Sequence, residues 1–211
     1  MHASTAIFTI LAALLIGAMS PGPSFLVVAR NSIGLSRRDG LATALGMGAG
    51  SVFFSGVALV GLYSLLAAVG WLYLTLKIAG GLYLIYVAVK IWRGAKAPLT
   101  VGDMASGAGN PRKSFWVGLS TQLSNPKTAV FYGSIFAALL PQHPPSWAYF
   151  VLPPAIFMIE AGWYTVVALA FSTSKPRELY VRAKAWIDRV AAGAIAALGL
   201  RLIVTAHRVG I

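Results

Sequence analysis

Ser20-Pro21-Gly22-Pro23 interrupts an apolar run that begins near residue 5, and Ser124-Asn125-Pro126-Lys127 interrupts another in the second half of the chain. Proline lacks an amide donor and clashes with the preceding helical turn, so each stretch breaks or kinks a helix. In hydrocarbon every freed carbonyl costs several kcal/mol, so such breaks persist only where protein or a wet cavity satisfies them. Two interrupted apolar segments at corresponding positions in the two halves of a chain point to the binding site of a transporter.

Composition sets the solvent. The 211 residues are 58% apolar and 10% charged, against about 45–50% and about 25% in a soluble domain. This is the composition of an integral membrane protein. The 17 basic residues, which set a net charge of +12, fall mostly between apolar runs rather than in a stripe interleaved with aromatics. That pattern orients a polytopic chain and speaks against nucleic-acid binding. Cysteine is absent, which excludes disulfides and thiolate chemistry. No Lys or Arg precedes Arg30, and the apolar run continues past the first break, so the beginning reads as a span rather than a cleaved signal.

Six spans are expected: Thr5 to Ala29, Leu41 to Val69, Trp71 to Trp92, Phe115 to Leu140, Trp147 to Ser172 and Trp186 to Thr205. The fold class is thus all-α, with spans one and four broken. Small residues four apart in the second span, Ala42/Gly46/Gly50 and Ser51/Ser55, allow close helix approach. Arg30, Arg37, Arg38 and Asp39 read as a short charged loop, with Asp39 in a solvated pair, and Lys175 to Lys184 as another. A Pro/Gly-rich segment, 97–111, reads as a linker between a first three-helix unit, 1–96, and a second, 112–211. Basic residues crowd alternate loops, which places those loops in the cytoplasm and both termini outside. With three spans per half, the units then have opposite orientation, forming an inverted repeat.

Ser20-Pro21-Gly22-Pro23-Ser24-Phe25-Leu26, Arg30-Asn31-Ser32, Arg37-Arg38-Asp39-Gly40, Lys77-Ile78-Ala79-Gly80-Gly81-Leu82-Tyr83-Leu84-Ile85-Tyr86 and Asn125-Pro126-Lys127-Thr128-Ala129 come in an order that resembles the lysine exporter/homoserine–threonine resistance (LysE/RhtB) family. The resemblance implies an inner-membrane, proton-driven efflux carrier for small amino acids or related metabolites, working as a homodimer without a cofactor.

A carrier of zwitterions needs partners for a carboxylate and an ammonium. Broken helices offer both, as amides at N-termini and carbonyls at C-termini. Pro21, Gly22, Pro23, Asn125 and Pro126 are the candidates at the breaks, and Gly22 lets backbone approach a ligand. Asn31, Gln122 and Asn125 can bond a substrate or satisfy broken backbone. Lys127 and Glu160 both lie near the middle of their spans. An unpaired ammonium there costs ~2.5–3.5 kcal/mol, so Lys127 must face a cavity, a carboxylate or the substrate. Lys127 and Glu160 can form a structural ion pair, Glu160 can be the proton-coupling carboxylate, or the two can have an unrelated packing role. Lys77 can snorkel outward or line an exit path. His143 and His207 read as incidental, and Tyr83, Tyr86 and Trp92 as packing or interface residues.

Other functions fare worse. An intramembrane enzyme would need clustered acids or a Ser/His pair, but the five acids are scattered. A metal carrier is disfavoured by three dispersed His and no Cys. A non-transporting assembly subunit would need neither Lys127 and Glu160 nor two matched breaks.

Overall fold

The computed structural model describes residues 3–68, 70–99, 108–141 and 144–206. These form eight helices: α1 (Ala3–Met19), α2 (Pro23–Gly34), α3 (Arg37–Ala68), α4 (Gly70–Gly94), α5 (Pro111–Ser124), α6 (Pro126–Leu139), α7 (Ser146–Phe171) and α8 (Ser174–Ala206). The side chain of Lys77, together with Gln142, His143 and His207, lies outside the described residues.

Both breaks follow one local grammar. Gly22 is extended (φ −147°, ψ −172°) and Pro23 opens α2. Asn125 (φ −79°, ψ 106°) ends α5, and Pro126 opens α6. Proline suits a first helical position because its fixed φ is already helical and the missing N–H would have been unpaired anyway. The first pair bends by 57° between Ser4–Met19 and Pro23–Gly34. Among the described residues, Arg37–Gly61, Ser146–Phe171 and Ser174–Ala206 are long and apolar enough to cross a membrane, and the bent pair adds a fourth candidate. Pro153 and Pro154 lie within α7, which continues through them.

The charged stretches are helical rather than looped. Arg30 lies within α2, while Arg37, Arg38 and Asp39 form the first turn of α3. Lys175 to Lys184 belong to α8, so the helix expected to start at Trp186 starts at Ser174. At ~1.5 Å per residue, α8 is far longer than a hydrocarbon core of ~30 Å. Its basic turns can therefore leave the lipid without leaving the helix. Asp39 is not a solvated pair either. It is buried, and its carboxylate accepts from Ser36 Oγ at 2.5 Å and from Ser114 Oγ at 2.7 Å. This ties the start of α3 to the start of α5.

Close packing rests on glycine at two crossings. A Cβ at Gly46 would overlap the Phe115 carbonyl of α5, and one at Gly118 would overlap the Thr43 carbonyl of α3. Between α4 and α8, a Cβ at Gly81 would stand 2.9 Å from the Gly199 carbonyl, and one at Gly199 would stand 2.7 Å from the Gly81 carbonyl. Without side chains the backbones touch, and in lipid such contact is a principal source of helix association. The apolar interior has two clusters. One joins Ile10, Leu14, Phe136, Leu152 and Leu202, and the other joins Phe25, Met47, Val167 and Phe171.

Candidate functional site

The end of α1 leaves carbonyls that no following turn can satisfy. Lys127, in the first turn of α6, reaches back to them. Its Nζ donates to Gly17 O at 3.5 Å and Ser20 O at 3.4 Å, and Tyr180 OH donates to Met19 O at 3.5 Å. A cation also suits the negative end of a helix dipole. Glycine makes the approach possible. A Cβ at Gly17 would strike the Phe131 ring of α6, and one at Gly22 would lie 3.5 Å from Lys127 Nζ.

A chain of neutral polar groups fastens the second break to the first half. Asn125 Nδ2 donates to Ser24 Oγ (3.0 Å), Ser24 Oγ to Gln122 Oε1 (2.6 Å), Gln122 Nε2 to Ser51 Oγ (2.8 Å), and Ser51 Oγ to Met47 O (3.1 Å). Asn125 Oδ1 meanwhile accepts from the Lys127 amide at 3.0 Å, capping α6. All four side chains are buried. The chain links α2, α3, α5 and the α5–α6 break.

Beside this chain is a cavity of about 30 Å³, lined by Gly22, Ser24, Gln122, Lys127, Tyr132 and Glu160 among others. It has room for a water molecule but not for an amino acid. Glu160, buried on α7, accepts from Tyr132 OH at 3.0 Å through Oε1, and its Oε2 has no partner. Lys127 and Glu160 thus face one cavity without pairing, since the ion pair among the described residues is Lys184–Asp188 at 2.9 Å.

On the other side of Lys127 is a vestibule of about 620 Å³, within the ~300–1,000 Å³ usual for small-molecule sites. Both breaks line it through Pro21, Gly22, Pro23, Asn125, Pro126 and Lys127. Its far wall carries Tyr83, Tyr86 and Lys90 of α4 and Lys184 and Asp188 of α8. Lys184 Nζ also donates to the carbonyls of Gly94 (3.1 Å) and Ala95 (3.3 Å), closing the end of α4.

Of the residues singled out from sequence, the two breaks with Gln122, Lys127 and Glu160 come together. Asn31 lines neither space: it is buried on α2 and donates to Thr43 Oγ1 at 2.9 Å. Ser24, Ser51, Tyr132, Lys184 and Asp188 were not anticipated. For Lys184 and Asp188 there was a signal, an (i, i+4) cation–acid pair with helical spacing, obscured by reading the stretch as a loop. Ser24 and Ser51 carry no signal apart from their partners.

The model of the LysE type translocator family matches residues 15–206. The chain is 32% identical to a protein named threonine efflux protein from Salmonella typhi, over 94% of this chain and 97% of that protein. It is 31% identical to the threonine efflux protein of Escherichia coli K12, over 90% and 94% respectively. An uncharacterized membrane protein of the same bacterium, YahN, is 32% identical over 87% of this chain and 82% of its own length. No solved structure matches the chain significantly. Given paired helix breaks facing a half-buried lysine and a family match over nearly the whole length, this chain belongs to the LysE family of translocators and is a membrane transporter rather than an enzyme.

Proposed function

We propose that the protein exports small amino acids or related metabolites across the bacterial inner membrane, by proton antiport with alternating access, and works as a homodimer. The observation that carries this reading is the meeting of both helix breaks at Lys127, between a small cavity holding Glu160 and a vestibule large enough for cargo. Carbonyls at the end of α1 suit an ammonium, and amides at the starts of α2 and α6 suit a carboxylate. The Salmonella typhi and Escherichia coli relatives bear the name threonine efflux protein, so threonine heads the substrate screen.

The architecture we infer has six spans in two inverted three-helix units. In its favour, each half supplies a broken helix pair followed by two long helices, α3 packs against α7, and α4 packs against α8. Counterpart thus meets counterpart. Basic residues at the end of α4 and the start of α8 support a cytoplasmic vestibule mouth and periplasmic termini. In this reading the structure faces inward, and Glu160 carries the coupling proton.

The test is uptake into inverted vesicles under an imposed pH gradient, screened over the amino acids. Glu160→Gln is expected to abolish proton-driven uptake and to leave counterflow exchange in place. A normally expressed Glu160→Gln protein that retains proton-driven uptake would remove Glu160 from the mechanism.

A further inference from the structure

The ammonium at the first break belongs to the protein itself. Lys127 Nζ sits on the carbonyls of Gly17 and Ser20 at 3.5 and 3.4 Å. Those contacts are long compared with the ~2.7–3.2 Å of a well-formed N–H···O bond, and therefore weak. Lysine holds its charge on a flexible four-carbon stem, and no side chain at Gly22 stands in its way. In the same cavity Glu160 Oε2 has no partner, although Oε1 is held by Tyr132. A buried carboxyl oxygen left unpaired is costly. The cavity therefore contains a cation on weak, replaceable acceptors and a carboxyl group with one oxygen unused, which becomes a strong acceptor once its proton leaves.

We infer that Lys127 is a tethered stand-in for the amino group of the cargo. An incoming primary ammonium takes the Gly17 and Ser20 carbonyls, and Lys127 Nζ moves to Glu160 Oε2. The inference rests on the transport reading and adds the step that links cargo to proton. Two cations cannot share one pair of carbonyls, so cargo and Lys127 exclude each other there. A lysine ammonium arriving at Glu160 favours the ionised carboxylate, so the Glu160 proton departs to water in the vestibule as the amine enters. When cargo leaves, Lys127 returns to the carbonyls and Glu160 takes up a proton again. The other titratable groups lining the cavity are Tyr132 and Tyr164, while Ser24, Gln122 and Asn125 from the remaining walls are neutral. Lys90 of α4 and Lys184 and Asp188 of α8 face Lys127 only across the vestibule. Recognition at this point requires a primary ammonium. A quaternary ammonium has no N–H to donate, and a hydroxy acid has no cation.

The first measurement is thermal stability of purified Lys127→Ala, with n-propylammonium as probe and tetramethylammonium as control. Propylammonium is expected to raise the variant's Tm toward the wild-type value, tetramethylammonium to have no effect, and the wild type to respond to propylammonium less than the variant does, because Lys127 competes for the same carbonyls. Equal responses of the variant to both cations would overturn the inference. The second measurement is threonine transport in proteoliposomes, using Lys127→Gln where alanine does not fold, since glutamine keeps a neutral donor near the carbonyls. Proton-driven uptake is expected to fall about tenfold or more, the scale of one lost charge-assisted hydrogen bond, and exchange to fall by less than that. If exchange is lost together with proton-driven uptake, Lys127 anchors the cargo carboxylate and the inference fails. Wild-type protein that exchanges no amino acid would overturn the transport reading and this inference with it. Normal wild-type exchange without amine rescue of the alanine variant overturns the inference alone.

Discussion

Gln122→Leu removes the node through which the second break is fastened to α2 and α3. Leucine has a similar volume, so the cavity contribution is small and the lost hydrogen bonds dominate. Two are lost, from Ser24 at 2.6 Å and to Ser51 at 2.8 Å. Interhelical hydrogen bonds in membranes average ~0.6 kcal/mol, and buried ones in general contribute ~0.5–1.5 kcal/mol. Two bonds therefore come to between ~1 and ~3 kcal/mol. The lower half is expected, because Ser51 keeps the Met47 carbonyl and Ser24 keeps the donor of Asn125. Only the Ser24 hydroxyl proton must find a new acceptor. Equilibrium unfolding in mixed detergent micelles measures the loss, and a cycle with Ser51→Ala isolates the Gln122–Ser51 bond. A coupling of ~0.6 kcal/mol or more is expected. A Gln122→Leu protein as stable as the wild type, with no coupling to Ser51→Ala, would refute the claim that this chain holds the break in place.

Three further outcomes follow from the same contacts. Lys184→Met leaves Asp188, whose Oδ1 already lacks a partner, without its cation. The loss should be ~3 kcal/mol, at the low end for a broken buried pair because the vestibule admits water, and Lys184→Met/Asp188→Leu should recover most of it in the same unfolding assay. Gly199→Leu forces a Cβ against the Gly81 carbonyl; overpacking of this kind costs ~1–3 kcal/mol, and a Tm unchanged from the wild type would mean that α4 and α8 separate freely. Pro126→Ala lets α5 run into α6, so transport in vesicles should fall more than protein abundance on an immunoblot, and equal falls would make the break purely architectural.

The course of the backbone was written locally. The interruptions at Pro21, Pro23 and Pro126 were legible because each proline comes with a turn-favouring neighbour, Gly22 or Asn125; proline alone does not end a helix here, since α7 continues through Pro153 and Pro154. The length and apolarity of the runs likewise select helices in lipid without reference to any partner. By sequence, charged residues between the runs read as loops, yet Arg37 to Asp39 and Lys175 to Lys184 are helical. Charge marks where a chain leaves hydrocarbon and says nothing of whether its helix ends there.

Partner choice was decided elsewhere. Lys127 and Glu160, at matching depth, could have been an ion pair by sequence alone; the fold instead directs Lys127 to the carbonyls of Gly17 and Ser20 and leaves Glu160 with Tyr132. Asn31, in the last turn of α2, turned to Thr43, and Asp39 went into the α3–α5 junction. Which acceptor a buried donor finds depends on how far each helix is rotated about its axis and where it crosses its neighbours. Those quantities come from glycine-to-carbonyl contacts such as Gly46–Phe115 and Gly81–Gly199, between segments far apart in the chain. The residues themselves determined that there are breaks in lipid and a lysine beside one of them; only the packing of distant helices decided what that lysine holds.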